Sequence, residues 1–306
     1  MAIMAAATYQ HKSVNGVRPH GNPGSDPLKP LISIVIANYN FGTYLERAIK
    51  SVFVQGVDAS VELIICDAAS TDDSVEIIKK YSDKLAWWCS EKDQGQSDAF
   101  NKGFSHARGK YLTWLNADDI LMPGCLRKVI ESMRKHPAAD WFSGNFFRFT
   151  PNGKVIEIGW GTNCYPAFLQ RKSAPVAVFG PTSFFSKRVY ERLGKIDESL
   201  HLAMDVDLWQ RFMLAGIKQR RVRALCWGFR MHEASKTSEY EGHSMDPGLK
   251  LRLAEEAEYI AHKNGYRYSR FVHLLTYLWR VIDCSFLVRA YLKLTFRNFE
   301  EEKWIS

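Results

Sequence analysis

Two adjacent carboxylates, Asp118 and Asp119, follow an apolar run that begins at Tyr111 and reads YLTWL. Such a run of aromatic and branched residues predicts a short buried strand. In α/β proteins the carboxyl ends of strands are where ligands bind. Carboxylate oxygens suit Mg²⁺ or Mn²⁺, and such an ion can hold a diphosphate. A solvated turn also favours Asp, so this pair by itself leaves both interpretations open.

Predicted strands and helices alternate before these carboxylates. The first four apolar runs, each followed by an amphipathic helical pattern, are 31–37, 61–66, 85–89 and 111–115. This alternation predicts an α/β fold with a mainly parallel sheet, flanked by helices and joined by right-handed crossovers. Three of the runs end beside Asn38, Asp67 and Asn116, which implies a polar crevice along one edge of the sheet.

The pattern changes after about residue 140. Residues 141–149 and 154–160 read as antiparallel strands around Pro151-Asn152-Gly153, and a basic strand runs from Arg220 to Arg230. Residues 205–215 predict a helix. The segments 249–263 and 271–294 are also helical in pattern.

Composition excludes several classes of protein. The 306 residues are 46% hydrophobic and 13% aromatic, as in a globular protein, and the net charge of +8 favours anionic partners. The six cysteines form no CxxC pair, which is typical of reduced thiols in a cytosolic protein. A secretory signal is not evident, and the most apolar stretch, 271–288, is interrupted by His273, Arg280 and Asp283. We therefore expect a cytoplasmic protein.

Two common nucleotide-binding motifs are missing. The turn after the first predicted strand reads NYNFGTY, with one glycine where a dinucleotide-binding dehydrogenase has GxGxxG. The sequence also contains no GxxxxGK[ST] motif, which excludes a P-loop nucleotide hydrolase.

Five polar segments follow one another in a specific order. They are Ala37-Asn38-Tyr39-Asn40, Asp67-Ala68-Ala69-Ser70, the segment DQGQSDAFNKG from Asp93, Asn116-Ala117-Asp118-Asp119, and Met204-Asp205-Val206-Asp207. Over roughly residues 31–235, this set resembles the inverting glycosyltransferases of family 2, which have a GT-A fold. The resemblance implies transfer of a sugar from a nucleoside diphosphate to a hydroxyl group.

The resemblance also implies roles for individual residues in binding the donor. Ala37 and Tyr39 would hold the nucleotide base, with Tyr39 stacked on it, and Asp67 would contact the base or the ribose. Asp98 and Asn101 would hydrogen-bond to ribose or donor-sugar hydroxyls. Asn116 would hold the ribose or a metal-bound water.

The reacting end of the site follows from the same comparison. Asp118 aligns with the ligand of a divalent cation, Mn²⁺ or Mg²⁺, and His232 lies where a late His can approach the metal or the phosphates. Asp205 aligns with the general base that takes the proton of the acceptor hydroxyl. Asp207 cannot share a helix face with Asp205, and we expect it to have a structural role.

This chain departs from the family pattern at three positions. The commoner Asp-Asp-Gly-Ser reads Asp67-Ala68-Ala69-Ser70 here, Asn116 replaces the first Asp of a DXD motif, and Met204 replaces a Glu. These changes keep open a non-catalytic nucleotide-sugar or glycan-binding protein. A glycoside hydrolase, which needs two carboxylates across one bond, is a third option.

Partners and domains follow from this interpretation. We expect a nucleotide sugar as donor, with a UDP-sugar as first choice, and a glycan or lipid-linked oligosaccharide as acceptor. The basic, aromatic C-terminal helices suggest peripheral contact with the inner face of the cell membrane, whereas no nucleic-acid recognition module is evident. We expect a disordered tail (1–29), a catalytic domain (30–238, with a nucleotide-binding half 30–119 and an acceptor half 120–238) and a C-terminal helical region (239–306).

Overall fold

The computed structural model describes residues 14–17, 29–57, 60–159, 180–235, 244–265, 271, 274–275, 278 and 285–305. The strands in these ranges are β1 Val14–Val17, β2 Ile32–Asn38, β3 Val61–Asp67, β4 Trp87–Ser90, β5 Tyr111–Asn116, β6 Ile120–Leu121, β7 Trp141–Phe149, β8 Val155–Gly159, β9 Ser183–Ser186 and β10 Gln219–Arg230. The helices are α1 Gly42–Phe53, α2 Ser74–Lys80, α3 Gln96–His106, α4 Cys125–Lys135, α5 Lys187–Leu193, α6 Met204–Leu214, α7 Pro247–Lys263, α8 Ser285–Thr295 and α9 Glu302–Ile305.

The described strands form one sheet with the order β1-β4-β3-β2-β5-β9-β7-β10-β6, and β8 pairs with β7. Strands β2 to β5 are parallel, as the alternation of elements predicted. Their register places Asn38 beside Asp67, and Ala37 beside Asn116. The polar residues that end these strands therefore share one edge of the sheet, which confirms the predicted crevice.

Helices cover both faces of the sheet. Residues of α1, α2 and α4 belong to one apolar cluster, together with Phe299 near the end of the chain. Residues of α3, α5 and α6 belong to the second cluster, together with Ile260 of α7. Helix α7 and the segment that contains Phe299, both from the C-terminal region, thus contribute to the core of the α/β fold.

Stacked indoles fix the helix that carries Asp205. Trp209 of α6 is fully buried, and its ring stacks on Trp114 of β5 and Trp141 of β7 at centroid distances of 5.5 and 5.4 Å. This packing makes Trp209 a core residue, the default expectation for a Trp in such a helix.

The first strand, β1, lies within the predicted tail. Residues Val14 to Val17 pair antiparallel with β4, at the edge of the sheet. A four-residue strand that contains Asn and Gly has no apolar period, so the pairing depends on the edge that β4 offers. The rest of the predicted tail up to residue 28 lies outside the described residues.

The C-terminal helical pattern is confirmed where the chain is described. Helix α7 covers the predicted segment 249–263, and α8 covers the end of the segment 271–294. Within the described ranges, no helix has the length and apolar character needed to cross a bilayer. The described cysteines, Cys66, Cys89, Cys125 and Cys226, are buried free thiols.

Candidate active site

A cleft of about 790 Å³ opens at the carboxyl ends of β2 and β5. Asp118 lines one part of it and Asp205 lines another. The two carboxylates come from the turn after β5 and from the start of α6, so the tertiary fold brings distant segments to one cavity. An arrangement with the two residues in separate pockets would have removed the basis for a shared reaction centre.

A histidine side chain lies against the Asp118 carboxylate. The Nε2 atom of His232 lies 3.1 Å from Oδ2 of Asp118, and both residues are largely buried. The imidazole ring packs against Tyr44 and Phe41, at centroid distances of 4.8 and 5.7 Å. These contacts hold the ring nitrogen and the carboxylate together, a nitrogen and oxygen donor pair that a divalent cation can bind.

A cation at this pair would need further ligands. Within the described ranges, no group of three or more His, Cys, Asp and Glu side chains is close enough to hold a metal ion. Mg²⁺ and Mn²⁺ sites commonly take one or two protein ligands and complete their shell with substrate phosphates and water. The two donors therefore fit a cation that arrives with a diphosphate.

Asp119 shapes the turn and does not line the cleft. It is fully buried, and its carboxylate accepts hydrogen bonds from Asn116 Nδ2 at 2.8 Å and from the backbone N–H of Arg230 at 3.0 Å. Burial and the nearby charge of Asp118 raise its pKa well above the ordinary value. Gln96 donates to Oδ1 of Asn116 at 2.8 Å, so Asn116 lines the cleft in an orientation fixed from both sides.

Asp205 has the electrostatics of a proton acceptor. Burial raises its pKa to about 6, although the backbone N–H groups of Val206 and Gly180 donate to the carboxylate and oppose the shift. A base with a pKa close to neutrality can take a proton and still be unprotonated at pH 7. Asp207 differs, because its buried carboxylate pairs with Arg211 at 2.8 Å and with Lys263 at 3.1 Å.

The edge of the cleft near β2 has an exposed aromatic ring and a buried amide. The Tyr39 side chain is 58% exposed and lines the cleft with Ala37. Asn38 also lines it, and its buried Oδ1 atom has no hydrogen-bond partner among the described residues. Buried polar atoms are normally paired, so this acceptor is available to a ligand. In the sequence, Asn38 ends a strand within the first polar segment, and no local pattern indicated its unpaired amide oxygen.

Asp67 holds Asn38 by a hydrogen bond but does not itself line the cleft. Its carboxylate accepts from Asn38 Nδ2 at 2.7 Å, Ser90 Oγ at 2.6 Å and the backbone N–H of Ser70 at 3.0 Å. Ala69, where the commoner family pattern has Gly, has a φ of +56°, in the left-handed region. Asp67 thus holds a tight loop whose conformation suits glycine better.

Two further residues predicted to bind the donor, Asp98 and Asn101, also do not line the cleft. Asp98 accepts from the backbone N–H of Gln94 at 2.9 Å, at the start of α3. Asn101 is buried and bonds to the backbone carbonyl of Ile196 at 2.9 Å and to the Tyr190 hydroxyl. The amide of Asn101 joins α3 to the segment before α6, which the sequence pattern did not reveal.

Arg148 is a cleft residue that sequence analysis did not single out. It lies on β7 and lines the cleft, while its guanidinium pairs with Glu157 at 3.2 Å and lies 5.4 Å from the Phe229 ring centroid. Lys92 also lines the cleft. Their positive charges suit a diphosphate, but their location depends on how β7 and the loop after β4 pack around the sheet edge.

The sequence matches a known protein family. The sequence profile described as Glycosyl transferase family 2 matches residues 33–194, more than half of the chain. The chain belongs to this family. The match confirms the resemblance seen in the ordered polar segments.

Relatives agree with this assignment. An uncharacterised glycosyltransferase of Rickettsia prowazekii is 26% identical over 194 residues, which cover 60% of this chain and 58% of that protein. Chondroitin synthase of Pasteurella multocida is 25% identical over 205 residues, which cover 66% of this chain and 21% of the synthase. The match thus spans about three-fifths or less of the length of these two relatives.

Solved structures share the fold. TarS of S. aureus (residues 1–349), in complex with UDP-GlcNAc, superposes with a TM-score of 0.53 and 16% identity, covering 69% of this chain and 61% of that one. Mannosyltransferase PcManGT of Pyrobaculum calidifontis, in complex with GDP-Man and Mn²⁺, gives a TM-score of 0.50 and 16% identity, covering 78% and 72%. These matches confirm the predicted GT-A fold.

Proposed function

We propose that this protein is a metal-dependent inverting glycosyltransferase that moves a sugar from a nucleoside diphosphate to a hydroxyl of a glycan or lipid-linked acceptor. One observation carries the proposal: Asp118, beside His232, and Asp205, with a pKa raised to about 6, line the same cleft. The neighbours bound to UDP-GlcNAc and to GDP-Man with Mn²⁺ support a nucleotide-sugar donor.

The proposed reaction is a single displacement at the anomeric carbon. The Asp205 carboxylate accepts the proton of the acceptor hydroxyl as its oxygen attacks that carbon. A new C–O bond forms while the bond from the carbon to the diphosphate oxygen breaks, and the electron pair leaves with the nucleoside diphosphate. Because attack and departure occur on opposite faces, the configuration inverts.

Asp118 and His232 would hold a divalent cation, Mn²⁺ or Mg²⁺, together with the donor phosphates. When bound, such a cation neutralises negative charge on the departing diphosphate. Arg148 and Lys92, which also line the cleft, add positive charge. Tyr39 would stack on the base, and the unpaired Oδ1 of Asn38 would accept from an N–H of the base. Since uracil and guanine both have such a donor, this acceptor leaves the choice between UDP and GDP to experiment.

A C-terminal face supports peripheral membrane contact. Leu287, Tyr291 and Leu294 of α8 are each more than half exposed and lie on one helix face at i, i+4 and i+7. Between residues 263 and 297 the sequence has seven Lys or Arg and one Asp. An exposed apolar stripe within a basic segment matches an anionic lipid surface. Co-sedimentation with phosphatidylglycerol vesicles should exceed that with phosphatidylcholine vesicles, and the L287S/L294S variant should lose the difference; equal binding to both lipids would contradict the membrane proposal.

A nucleotide-sugar panel tests the enzymatic proposal. UDP-GlcNAc, GDP-Man and other UDP- and GDP-hexoses should raise the melting temperature with Mn²⁺ more than with EDTA, because a ligand stabilises the fold in proportion to its occupancy. The bound donor should then release its nucleoside diphosphate in the presence of a glycan acceptor, and NMR of the product should show an inverted anomeric centre.

The alternatives predict other outcomes in the same panel. Binding of a nucleotide sugar without turnover, over a wide set of acceptors, would favour a binding protein. Cleavage of a glycan without any nucleotide would favour a hydrolase. A product with retained configuration would refute the single displacement.

A further inference from the structure

The loop that precedes Asp205 is held by a carboxylate from α7. Glu256 is buried, and its carboxylate accepts from the backbone N–H groups of His201, Leu202 and Ala203 at 2.9, 2.9 and 2.8 Å. Burial opposes its ionisation, but these N–H groups outweigh burial and lower the pKa of Glu256. Helix α6 begins directly after Ala203, and Asp205 is its second residue.

This contact holds the residues just before α6, whose first turn has no side-chain cap. Ala203 precedes α6 and has no side-chain oxygen that could accept from the first turn. Glu256 supplies an acceptor from another helix and places negative charge near the positive N-terminal end of α6. His201 and Leu202 line the cleft, so Glu256 fixes both the start of the helix and part of the cleft wall.

The turn that carries Asp118 is held by Arg230, which in turn pairs with Glu301. Arg230, at the end of β10, is 1% exposed, and its Nε donates to the backbone carbonyl of Asp118 at 2.9 Å. Its two terminal nitrogens donate to the Glu301 carboxylate at 2.9 and 2.6 Å. This two-bond geometry orients the guanidinium and aims Nε at the carbonyl of Asp118.

Glu301 is itself anchored. Phe299, two residues earlier, is buried and packs against Phe147 and Phe149 at centroid distances of 5.1 and 5.2 Å. Its backbone N–H donates to the carbonyl of Gly153 at 2.7 Å. These contacts fix the position of the chain just before α9, and Glu301 therefore lies beside Arg230.

We infer that the C-terminal part of the chain supports the proposed reaction at two points: Glu256 positions Asp205, and Glu301 positions Asp118 through Arg230. Both glutamates lie beyond residue 194, where the family match ends. The inference rests on the proposed function. Neither glutamate lines the cleft, so each acts as a positioning residue.

Charge-neutral variants of the 306-residue chain test the two supports. Glu256→Gln should lower kcat about tenfold or more, with little change in the Kd of the nucleotide sugar, because the loop before the proposed base loses its anionic anchor. Glu301→Gln should instead weaken the Mn²⁺-dependent binding of UDP or GDP about tenfold, measured by calorimetry without any acceptor. Glu255→Gln and Glu302→Gln change exposed neighbours and should match the wild type in both measurements.

An apolar replacement of the ion pair separates positioning from stability. Replacing both members of a buried ion pair by apolar residues often preserves stability. The R230M/E301L variant should therefore melt near the wild-type temperature but bind UDP or GDP with Mn²⁺ as weakly as Glu301→Gln does, because the carbonyl of Asp118 has lost its Arg230 donor. Recovery of wild-type affinity in this double variant would show that the pair is only structural, and would overturn the role of Glu301.

The Glu256→Gln variant tests the role of Glu256 separately from that of Glu301. An unchanged kcat in Glu256→Gln, or a fall in kcat that follows the folded fraction, would overturn its role. These failures differ from failure of the proposed function, in which the wild-type protein itself neither binds a nucleotide sugar with Mn²⁺ nor turns one over.

Discussion

Replacement of Asp205 by Asn separates the chemical role of this residue from its effect on stability. Asn has nearly the shape of Asp but carries no charge and does not accept a proton at neutral pH. Loss of a general base lowers turnover by about 10²- to 10⁴-fold. We expect such a fall in kcat, whereas the Kd of the nucleotide sugar should change little because Asp205 lies on the acceptor side of the proposed reaction.

The same substitution should stabilise the protein at high pH. Burial raises the pKa of Asp205 from 3.8 to about 6, so the folded protein holds this proton more tightly than the unfolded chain. The stability it contributes is fully present below about pH 4 and is lost as the pH rises through about 6. Each pKa unit corresponds to about 1.4 kcal/mol, so the ionised carboxylate costs about 3 kcal/mol at pH 8.

Asparagine avoids that cost, although it accepts more weakly from the N–H groups of Val206 and Gly180. We therefore expect Asp205→Asn to raise the free energy of unfolding by about 1 to 3 kcal/mol at pH 8 and by almost nothing at pH 4. Urea unfolding at pH 4, 6 and 8 measures the difference. Asp83→Asn, at an exposed position, is the matched control and should show no such pH dependence.

The pH profile of the wild-type enzyme adds a kinetic check. Because the base must be unprotonated, kcat/KM should rise about tenfold per pH unit up to about pH 6 and then level off. Equal stability of the wild type and Asp205→Asn at all three pH values would refute the raised pKa. Turnover close to the wild type in the Asn variant would refute the assignment of the base.

Three further substitutions address the donor side and the loop that supports it. Asp118→Ala should weaken nucleotide-sugar binding about tenfold or more with Mn²⁺ but leave binding in EDTA unchanged, by calorimetry; an equal loss in both would contradict a metal role. Tyr39→Ala should weaken UDP and GDP about tenfold by loss of base stacking while the response to Mn²⁺ persists, and unchanged affinity would place the base elsewhere. Ala69→Gly should raise stability by up to about 1 kcal/mol in urea, because Ala69 has a φ of +56°, and a loss of stability would contradict strain there.

Much of the parallel half of the fold could be predicted from local patterns. Apolar runs of strand length alternate with amphipathic helices, and this order leaves few topologies because crossovers are right-handed. The insertion of β9 between β5 and β7 could not be predicted in this way. Strand β9 has four residues, and it pairs with β5 and β7, which lie far from it in the chain.

Only some positions in the candidate site could likewise be predicted from local patterns. Residues that directly end a parallel strand, such as Asn116, could be assigned to the shared edge from sequence. Asn101 could not, because its helix leaves several faces open and the actual partners, Ile196 and Tyr190, come from a distant segment. Asp67 ends a strand as predicted, but Asn38, Ser70 and Ser90 already donate hydrogen bonds to its carboxylate.

The ordered polar segments carried the resemblance to the family and to its GT-A fold. The sequence also predicted the sheet edge where Asp118 lies, because parallel strands place their carboxyl ends together. Tertiary structure alone decided that Asp205 shares the cleft with Asp118, and that His232 lies 3.1 Å from the Asp118 carboxylate. It also placed Glu256 against the loop before Asp205, and Glu301 against the Arg230 side chain that donates to the backbone carbonyl of Asp118. A buried carboxylate must find donors wherever the packed chain offers them, and no local period in the sequence encodes which distant backbone groups those are.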